Sequence, residues 1–347
     1  MLGGTGAIGK HLSKILSEDD HEVTVTSRKE HTQTGTIRYV KGNAKDLQFL
    51  KDILRGNWDV IVDFMIYSTK EFEERLGLLL GSTLRYIFLS SARVYDNSDK
   101  TITEKTPRLL DMSADNDFLS TDEYSLAKAK QENLLFGSDK INWTIVRPYI
   151  TYSEERLQLG NLEKEDWLYR ALKGRTIVFS KDILKRKTTL TYGLDVARGI
   201  YNLINNEKVF GEVFNIINPI CCTWEIVLET YLRVLENHLG FRPKVAYQYL
   251  DEYLKWNSKY QVIYDRLFDR CFDASKISKF VDVKSFVAPK EGLRKCLETF
   301  LKAPRFRGIN WRNEALKDKY ANEKTPFSEI KGVKQRLKYL YYRYIKC

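Results

Sequence analysis

The chain opens on a glycine-rich run, and this run restricts its fold more than any other segment. Gly3, Gly4, Gly6 and Gly9 satisfy two nested nucleotide-binding spacings. Glycines at such spacings permit a tight turn, let the backbone approach a pyrophosphate and let the following helix pack close to its sheet. The anion then lies at a helix N-terminus, where unpaired N–H groups and the helix dipole favour negative charge. We therefore predict a phosphate cradle formed by Gly3, Thr5, Gly6, Ala7, Ile8 and Gly9.

The segment before the glycines is shorter than such a cradle requires. A buried strand of about five residues should precede it, yet only Met1 and Leu2 stand there. Residues 22–26 then read as a strand about 20 residues after the first glycine, as a β-α-β nucleotide unit requires. We therefore expect the first strand to be truncated and the natural chain to begin upstream.

Strand and helix patterns alternate through the first half of the chain. Apolar strands are predicted at residues 22–26, 36–40, 59–65, 86–90 and 143–148, with helices near 46–54, 70–80 and 121–136. Near-continuous apolar strands separated by helices indicate a parallel sheet covered on both faces. We therefore predict the α/β class, with a Rossmann-type doubly wound parallel sheet and a smaller, mainly helical substrate lobe.

The same patterns divide the chain into regions. Residues 1–150 are predicted to form the dinucleotide-binding domain, and residues 185–220 return to it. Residues 151–184 and 221–301 are assigned to the substrate lobe, and residues 302–347 to a basic C-terminal tail. No run of about 18 apolar residues predicts a membrane span, and the start does not resemble a signal peptide.

The cysteines and histidines carry no signature of a metal site. The five cysteines lack metal-ligand spacing, and none of the four histidines is paired at such a spacing. We therefore predict no metal, reduced thiols and a cytoplasmic protein. The cysteines are Cys221, Cys222, Cys271, Cys296 and Cys347.

The net charge of +11 is concentrated in the tail. From Lys302 onward, thirteen Lys or Arg stand against four Asp or Glu, a net charge of +9. The nearly balanced remainder gives no reason to expect nucleic-acid binding. Within the tail an apolar 3-4-3-4 spacing interleaved with cations predicts an amphipathic basic helix. Its apolar positions are Ile330, Val333, Leu337, Leu340 and Tyr344, and its cations are Lys331, Lys334, Arg336, Lys338 and Arg343.

Two roles for this basic helix stay open at the level of sequence. It docks on its own protein or on a second subunit, or it touches an anionic membrane surface or partner, because tyrosines suit an interface and cations suit acidic headgroups.

A tyrosine and a lysine share one face of a predicted helix. Tyr124 and Lys128 are four residues apart, so the phenol and the ammonium can converge on one site. A tyrosine ordinarily titrates near pH 10, and a neighbouring lysine and a positive nicotinamide ring would favour the phenolate that abstracts a proton from a sugar hydroxyl. Ser91, at the end of a predicted strand, would hold the same substrate oxygen. Such a pair alone is common on surfaces, but the preceding glycine cradle favours a catalytic site.

These motifs resemble those of the extended short-chain dehydrogenases/reductases, specifically the NAD-dependent epimerase/dehydratase group that acts on nucleotide sugars. The resemblance spans roughly residues 1–300 and includes Arg147-Pro148 and weaker matches up to Asn215. It implies that Tyr124 is the catalytic base and acid, that Lys128 binds the nicotinamide ribose, and that Ser91 positions the reacting oxygen.

The same resemblance places the cofactor along the chain. It implies that Asn43 and Ala44 lie at the adenine, and that Phe64 and Met65 line the path to the pyrophosphate. The acidic residue that ends the second strand in NAD-binding relatives is replaced here by Ser27 and Arg28. Hydroxyl and guanidinium groups can bind a 2′-phosphate, so the sequence modestly favours NADP over NAD. The alternative is that Arg28 stacks on the adenine.

A second departure concerns the substrate. The 4,6-dehydratases of this group carry Asp-Glu directly after the serine position, whereas this chain has Ala92-Arg93, which disfavours dehydration. Arg93 could approach a substrate phosphate or carboxylate, or be an exposed loop residue. Tyr152 and Arg156 are weaker candidates for the sugar-nucleotide site.

The sequence therefore predicts an NAD(P)-dependent epimerase acting on a nucleotide-activated sugar in polysaccharide biosynthesis, with a keto-sugar reductase as the close alternative. A homodimer is expected, because family members often pair through helices. The rival hypothesis is a non-catalytic, dinucleotide-sensing or RNA-binding relative that keeps the fold.

Overall fold

The computed structural model describes residues 1–56 and 58–345. Its strands, in chain order, are β1 (Val23–Ser27), β2 (Ile37–Lys41), β3 (Trp58–Asp63), β4 (Thr83–Leu89), β5 (Trp143–Pro148), β6 (Thr151–Tyr152), β7 (Ile177–Ser180), β8 (Lys187–Thr189), β9 (Thr191–Tyr192), β10 (Glu212–Ile216), β11 (Cys221–Thr223) and β12 (Val245–Gln248).

The helices, also in chain order, are α1 (Gly9–Glu18), α2 (Leu47–Leu54), α3 (Thr69–Gly81), α4 (Leu109–Met112), α5 (Asn116–Leu119), α6 (Tyr124–Phe136), α7 (Lys164–Leu172), α8 (Lys181–Leu184), α9 (Gly193–Ile204), α10 (Trp224–Leu239), α11 (Leu250–Leu254), α12 (Lys259–Gln261), α13 (Pro289–Lys302), α14 (Trp311–Ala321) and α15 (Val333–Leu340). A 3-10 turn at Ala92–Val94 follows β4, and a π-helical turn at Tyr341–Ile345 follows α15.

The chain divides into two compact units. Unit 1 comprises Met1–Ser153, Thr189–Cys221 and Arg270–Pro289, and unit 2 comprises Glu154–Thr188, Cys222–Asp269 and Lys290–Cys347. Two segments group differently from the predicted regions. Residues 270–289, placed in the substrate lobe from sequence, belong to unit 1, and the predicted tail groups with unit 2.

A parallel sheet forms the centre of unit 1. Strands β10, β5, β4 and β3 lie side by side in that order, and β1 pairs with β2. Met1 and Leu2 connect the two sets, since Thr26 N–H donates to Met1 O at 3.1 Å and Leu2 N–H donates to Val62 O at 2.9 Å. The prediction of a Rossmann-type α/β fold is confirmed, with Met1–Leu2 in the central position.

Local sequence explains where the flanking helices begin. Asp46 caps α2 by accepting from Phe49 N–H, and Ser68 and Glu71 form a capping box at α3. Such caps satisfy backbone donors that have no partner within the helix. The helices bury apolar side chains against the sheet, in a cluster that includes Leu50, Leu54, Phe72, Leu79, Tyr86, Phe88 and Ile145.

The cysteines differ from the predicted set of reduced thiols. Cys221 and Cys271, both in unit 1, form a disulfide with their Cα atoms 5.5 Å apart. Fifty residues separate them, and nothing in their local spacing indicated the pairing. Cys222 and Cys296 are free, and Cys347 lies outside the described residues.

Unit 2 is mainly helical and is held together by a buried ion-pair cluster. The Arg170 guanidinium on α7 donates to Glu314 Oε2 at 2.9 Å, to Asp318 Oδ1 at 2.7 Å and to Glu323 Oε2 at 2.9 Å. Its Nε also donates to Thr176 O at 2.7 Å. All three carboxylates come from the predicted tail. That segment is therefore part of the packed unit, because it neutralises a buried cation.

The predicted amphipathic helix is present, but its buried face differs from the expected apolar stripe. Ile330 is buried, whereas Val333, Leu337 and Tyr344 are exposed. The buried contact is made instead by Tyr339, which packs with Ile330, Trp311 and Ala315. A polar contact fixes the rotation of the helix, because the Tyr339 hydroxyl donates to Asp318 Oδ2 at 2.7 Å. The predicted apolar row therefore faces outward at Val333, Leu337 and Tyr344.

Across residues 1–56 and 58–345, no helix combines the length and the apolar character needed to cross a bilayer.

Candidate active site

The predicted cofactor segments meet at one edge of the unit 1 sheet. The glycine run follows Met1–Leu2, and the other segments each follow the carboxyl end of a parallel strand. Ligands of open α/β sheets bind at this edge. The segments are residues 27–28 after β1, 43–44 after β2, 64–65 after β3 and 91–93 after β4.

The glycine run is held closely against its neighbours. Gly3 has a φ of +72°, and a Cβ there would lie 2.8 Å from Met65 Sδ. Its N–H donates to Thr26 Oγ1 at 2.9 Å. Helix α1 starts at Gly9 after Ile8, whose side chain makes no capping hydrogen bond. Lys10 N–H donates to Gly6 O at 3.2 Å, which ties the glycine run to the start of α1. A helix N-terminus placed in this way favours a bound anion through the helix dipole.

Two glycines of the run are required for different reasons. A Cβ on Gly9 would lie 2.3 Å from Gly4 O, whereas a Cβ on Gly6 would meet nothing within 4 Å. The protein itself needs glycine at position 9, but at position 6 the free protein has room for a side chain. A ligand that approaches the backbone accounts for glycine at position 6, so the cradle fits a dinucleotide pyrophosphate.

This difference predicts opposite phenotypes for two matched substitutions. Gly6→Ala should leave the melting temperature of the free protein unchanged and weaken dinucleotide binding about tenfold, or about 1.4 kcal/mol. Gly9→Ala should destabilise the free protein by about 1–3 kcal/mol through overpacking. Thermal unfolding measures the stability of each variant, and calorimetric titration measures its affinity for the dinucleotide. An unaltered affinity in Gly6→Ala would contradict the cradle.

The segments predicted at the adenosine end are close to each other. Gly42 N–H donates to Ser27 O at 2.8 Å, which ties the end of β2 to the end of β1. Ser27 Oγ accepts from Lys29 N–H at 3.1 Å and contacts His31 Nε2 at 3.0 Å. Arg28 and Asn43 are exposed, and Ala44 is buried. Whether these residues hold the adenosine stays a prediction.

Helix α6 begins at Tyr124, three residues later than predicted, because Glu123 caps it. Glu123 Oε2 accepts from Ser125 N–H at 2.7 Å, and its other oxygen accepts from Arg93 Nη2 at 2.6 Å. Burial favours the neutral carboxyl, but Arg93 and the Ser125 hydrogen bonds hold the pKa of Glu123 below its usual value. Glu123 therefore remains an anion that joins two predicted site segments.

Arg93 connects Ser91 to Tyr124. Its backbone N–H donates to Ser91 Oγ at 3.2 Å, and its guanidinium carbon lies 5.2 Å from the centroid of the Tyr124 ring. The side chain is only 14% exposed, so the alternative of an exposed loop arginine was wrong. The ion pair with Glu123 fixes this cation beside the Tyr124 ring.

Lys128 is buried one turn after Tyr124. Its Nζ lies 3.4 Å from Met65 O and 4.4 Å from the centroid of the Phe88 ring. Burial lowers the pKa of Lys128 to about 8, against the opposing effect of Asp63 and Glu132. Asp63 is also buried, and that burial raises its own pKa although Met65 N–H and the Tyr86 hydroxyl donate to it.

The buried charge on Lys128 predicts a specific pH dependence of stability. Because its folded pKa of about 8 lies below the unfolded value of 10.5, the unfolded chain binds more protons between these values. The free energy of unfolding of the wild type, relative to Lys128→Met, should therefore rise from about pH 8 upward, by at most about 1.4 kcal/mol per pH unit. Denaturant titrations of both proteins at several pH values measure this difference. A flat difference would show that Lys128 is not desolvated.

A buried polar network joins α6 to the neighbouring sheet. Glu132, two turns after Tyr124, accepts from Ser90 Oγ at 2.6 Å and from Arg147 Nη2 at 2.6 Å. Arg147 Nη1 donates to the Tyr95 hydroxyl at 2.8 Å, and burial raises the pKa of Tyr95 to about 12. This network fixes the helix that presents Tyr124 and Lys128, because it joins α6 to β5 and to the segment that follows β4.

Sequence reasoning missed Asp63 and Glu132 as members of this site. Each left a local signal. Asp63 is a carboxylate that ends β3 at the carboxyl edge of the sheet, and Glu132 continues the four-residue spacing from Tyr124 and Lys128. The position of Asp63 at the end of its strand and the position of Glu132 on its helix face both predict a location near Tyr124 and Lys128.

The two weaker candidates lie in different units. Tyr152, in unit 1, is fully buried and stacks on Tyr192 with ring centroids 5.6 Å apart. Arg156, in unit 2, is largely exposed and lies 3.4 Å from Glu163. Neither contact tests a role in substrate binding, so both roles stay predictions.

Comparison with known proteins agrees with this geometry. The sequence of residues 3–166 matches the model of a family described as NAD(P)H-binding. The match covers slightly less than half of the chain, so residues 3–166 are similar to an NAD(P)H-binding domain. This domain contains the glycine run and all the segments at the sheet edge. It supports a nicotinamide dinucleotide as the cofactor, without distinguishing NAD from NADP.

Solved structures share the fold of this chain. A UDP-glucuronic acid 4-epimerase from Bacillus cereus in complex with NAD superposes with a TM-score of 0.65 at 15% identity, over 88% of this chain and 98% of that one. A dTDP-glucose 4,6-dehydratase from Bacillus anthracis, also with NAD, gives 0.63 at 18% identity, over 87% and 96%. The resemblance to extended short-chain dehydrogenases/reductases is confirmed at the level of fold.

A curated relative adds a different kind of similarity. The chloroplast stem-loop binding protein of 41 kDa b from Arabidopsis thaliana is 30% identical over 233 residues, which is 62% of this chain. The matched region spans 57% of that relative's length.

Proposed function

We propose that this protein is an NAD(P)-dependent epimerase or keto-sugar reductase acting on a nucleotide-activated sugar. The observation that carries the proposal is the arrangement around Arg93. This residue bonds Ser91 through its backbone and lies over Tyr124 through its side chain, one helical turn before the buried Lys128. The fold of NAD-bound sugar epimerases and dehydratases supports the substrate class.

The chemistry follows from these side chains. A nicotinamide dinucleotide in the glycine cradle would supply a hydride acceptor and donor. Tyr124 would take the proton of a ring hydroxyl as the carbon–hydrogen bond breaks, and Ser91 would hold the same oxygen by a hydrogen bond. Lys128 and Arg93 would favour the phenolate. An epimerase would then return the proton and the hydride with inverted stereochemistry, whereas a reductase would run only that second half.

Arg93 is also a candidate for binding an anionic group of the substrate. The position after the serine segment carries Ala92-Arg93 here, and this cation is held by Glu123 at 2.6 Å. We infer that Arg93 acts first on Tyr124 and that contact with a substrate phosphate or carboxylate is secondary. Dehydration remains disfavoured because Asp-Glu is absent from residues 92–93.

The preference for NADP is part of the proposal. Ser27 and Arg28 stand at the end of β1, and Arg28 is exposed, so its guanidinium is accessible to a 2′-phosphate. Calorimetric titration of the wild type with NAD and with NADP measures the preference. Tighter binding of NAD would assign Arg28 to the adenine instead.

One experiment tests the enzyme proposal. The full chain is incubated with NAD or NADP and with UDP-hexoses, UDP-hexuronates and their keto derivatives, and products are followed by NMR. An epimer formed without net cofactor consumption supports an epimerase. Stoichiometric NADPH consumption with a keto-sugar supports a reductase. If a protein sample that binds the dinucleotide shows neither epimer formation nor NADPH consumption, the proposal is contradicted.

A stem-loop binding function is the second candidate, because the curated relative carries that name. The nearly balanced charge outside residues 302–347 weighs against it. A labelled RNA stem-loop bound by protein without sugar turnover would favour this candidate. The expected homodimer, cytoplasmic location and polysaccharide role stay predictions, which sedimentation, fractionation and a gene deletion would test.

A further inference from the structure

An exposed apolar stripe runs along the last helical segment of unit 2. Its first four members are spaced three or four residues apart and its fifth follows the fourth directly, so they occupy one side of α15 and of the following π-helical turn. Val333 is 71% exposed, Leu337 61% and Ile345 70%. We define this C-terminal stripe as Val333, Leu337, Tyr341, Tyr344 and Ile345.

The other side of the same segment is fixed to unit 2. The Tyr339 hydroxyl donates to Asp318 Oδ2 at 2.7 Å and accepts from Thr325 N–H at 2.9 Å. Arg343 donates to Glu323 O at 3.1 Å through Nη2. The rotation of the helix is therefore set by buried polar contacts, and the C-terminal stripe is held facing outward rather than folding back.

Cations surround the stripe without any acidic neighbour on the segment. Residues 330–345 contain no Asp or Glu. Four of the cations are exposed: Lys331, Lys334, Arg336 and Lys338. An outward apolar row flanked by cations is the pattern of a helix that lies in a membrane interface, where apolar side chains enter the acyl boundary and cations meet anionic headgroups.

We propose that the C-terminal stripe docks this protein on an anionic lipid surface, independently of its chemistry on sugars. Charge complementarity favours this occupant. A second copy of the chain would oppose like charges across a two-fold axis. A nucleic acid would pair with the lysines but would leave Val333, Leu337 and Ile345 without an apolar partner.

Substitutions at exposed positions test the proposal better than truncation does. Deletion of residues 325–347 would also remove Tyr339 from Asp318 and so disturb unit 2. The double variant Val333→Ser/Leu337→Ser removes two apolar side chains that face outward. Leu84→Ser/Ile141→Ser is the matched control, because Leu84 and Ile141 are 72% and 66% exposed elsewhere on the chain.

The experiment is co-sedimentation of the full chain with vesicles. We expect binding to phosphatidylcholine vesicles that contain phosphatidylglycerol, at least about tenfold weaker binding to pure phosphatidylcholine, and weakening by added salt. Lys334→Gln/Lys338→Gln should reduce binding roughly fivefold per lysine. Val333→Ser/Leu337→Ser should also lose binding, with an unchanged melting temperature, while the control variant binds like the wild type.

Three results would overturn the proposal. They are no vesicle binding by the wild type, equal binding to neutral and anionic vesicles, and unchanged binding by Val333→Ser/Leu337→Ser. An RNA stem-loop that binds the wild type while vesicles do not would assign the lysines to nucleic acid instead. Sugar turnover in solution should be the same in all these variants. A failure of the enzyme proposal is therefore distinguishable from a failure of lipid binding.

Discussion

Replacing Tyr124 with phenylalanine is expected to reduce turnover of the nucleotide sugar about 10²- to 10⁴-fold, the contribution of a positioned general acid–base group. The expectation rests on position. Tyr124 opens α6 directly after the Glu123 cap, its ring lies under the Arg93 guanidinium, and Lys128 follows on the same helix face. Because the phenyl ring remains, the stacking with Arg93 and the helix start should persist.

The measurement separates catalysis from binding. Single-turnover kinetics of Tyr124→Phe should show the loss in the chemical step, whereas calorimetric titration should show an unchanged affinity for the dinucleotide. Tyr344→Phe is the control, because it removes a phenol that is exposed in unit 2. Turnover by Tyr124→Phe at the wild-type rate would remove Tyr124 from the mechanism. Cofactor binding without turnover in the wild type would favour the stem-loop candidate.

Replacing Arg170 with methionine is expected to destabilise unit 2 by about 3–5 kcal/mol. Arg170 is fully buried and bonds three carboxylates, of which Glu314 and Asp318 are also buried. Removing one member of a buried ion-pair cluster leaves the others uncompensated, and that penalty exceeds the loss of the contacts themselves. Glu314 keeps Lys317 at 2.5 Å, so the remaining cost falls mainly on Asp318 and Glu323.

Denaturant unfolding followed by tryptophan fluorescence reports this change, because four of the six tryptophans lie in unit 2. Arg233→Met is the matched control. Arg233 pairs with Glu229 at 2.8 Å, but its side chain is 74% exposed, so its loss should cost less than about 1 kcal/mol. A similarly small effect for Arg170→Met would mean that the C-terminal segment is held by its apolar contacts.

Much of the fold could be predicted because short-range sequence patterns specify its strands and helices. The alternation of apolar strands and helices predicted the parallel sheet, and the glycine run marked the edge where cofactor segments gather. Boundaries shifted where a cap decided them, as at Glu123. The sequence left open whether the tail packs on its own protein, because composition distinguishes a charged surface segment poorly from a packed one. Its carboxylates bind Arg170 from 144 to 153 residues away.

Local sequence patterns were enough to predict the glycine cradle and the shared helix face of Tyr124 and Lys128, since both predictions follow from periods of a few residues. Three features became visible only in the folded chain. They are the pairing of Arg93 with Glu123, 30 residues away, the disulfide between Cys221 and Cys271, and the buried face of the last helix. Partners distant along the chain are chosen by packing and by the cost of burying charge, and no local period of the sequence encodes that choice.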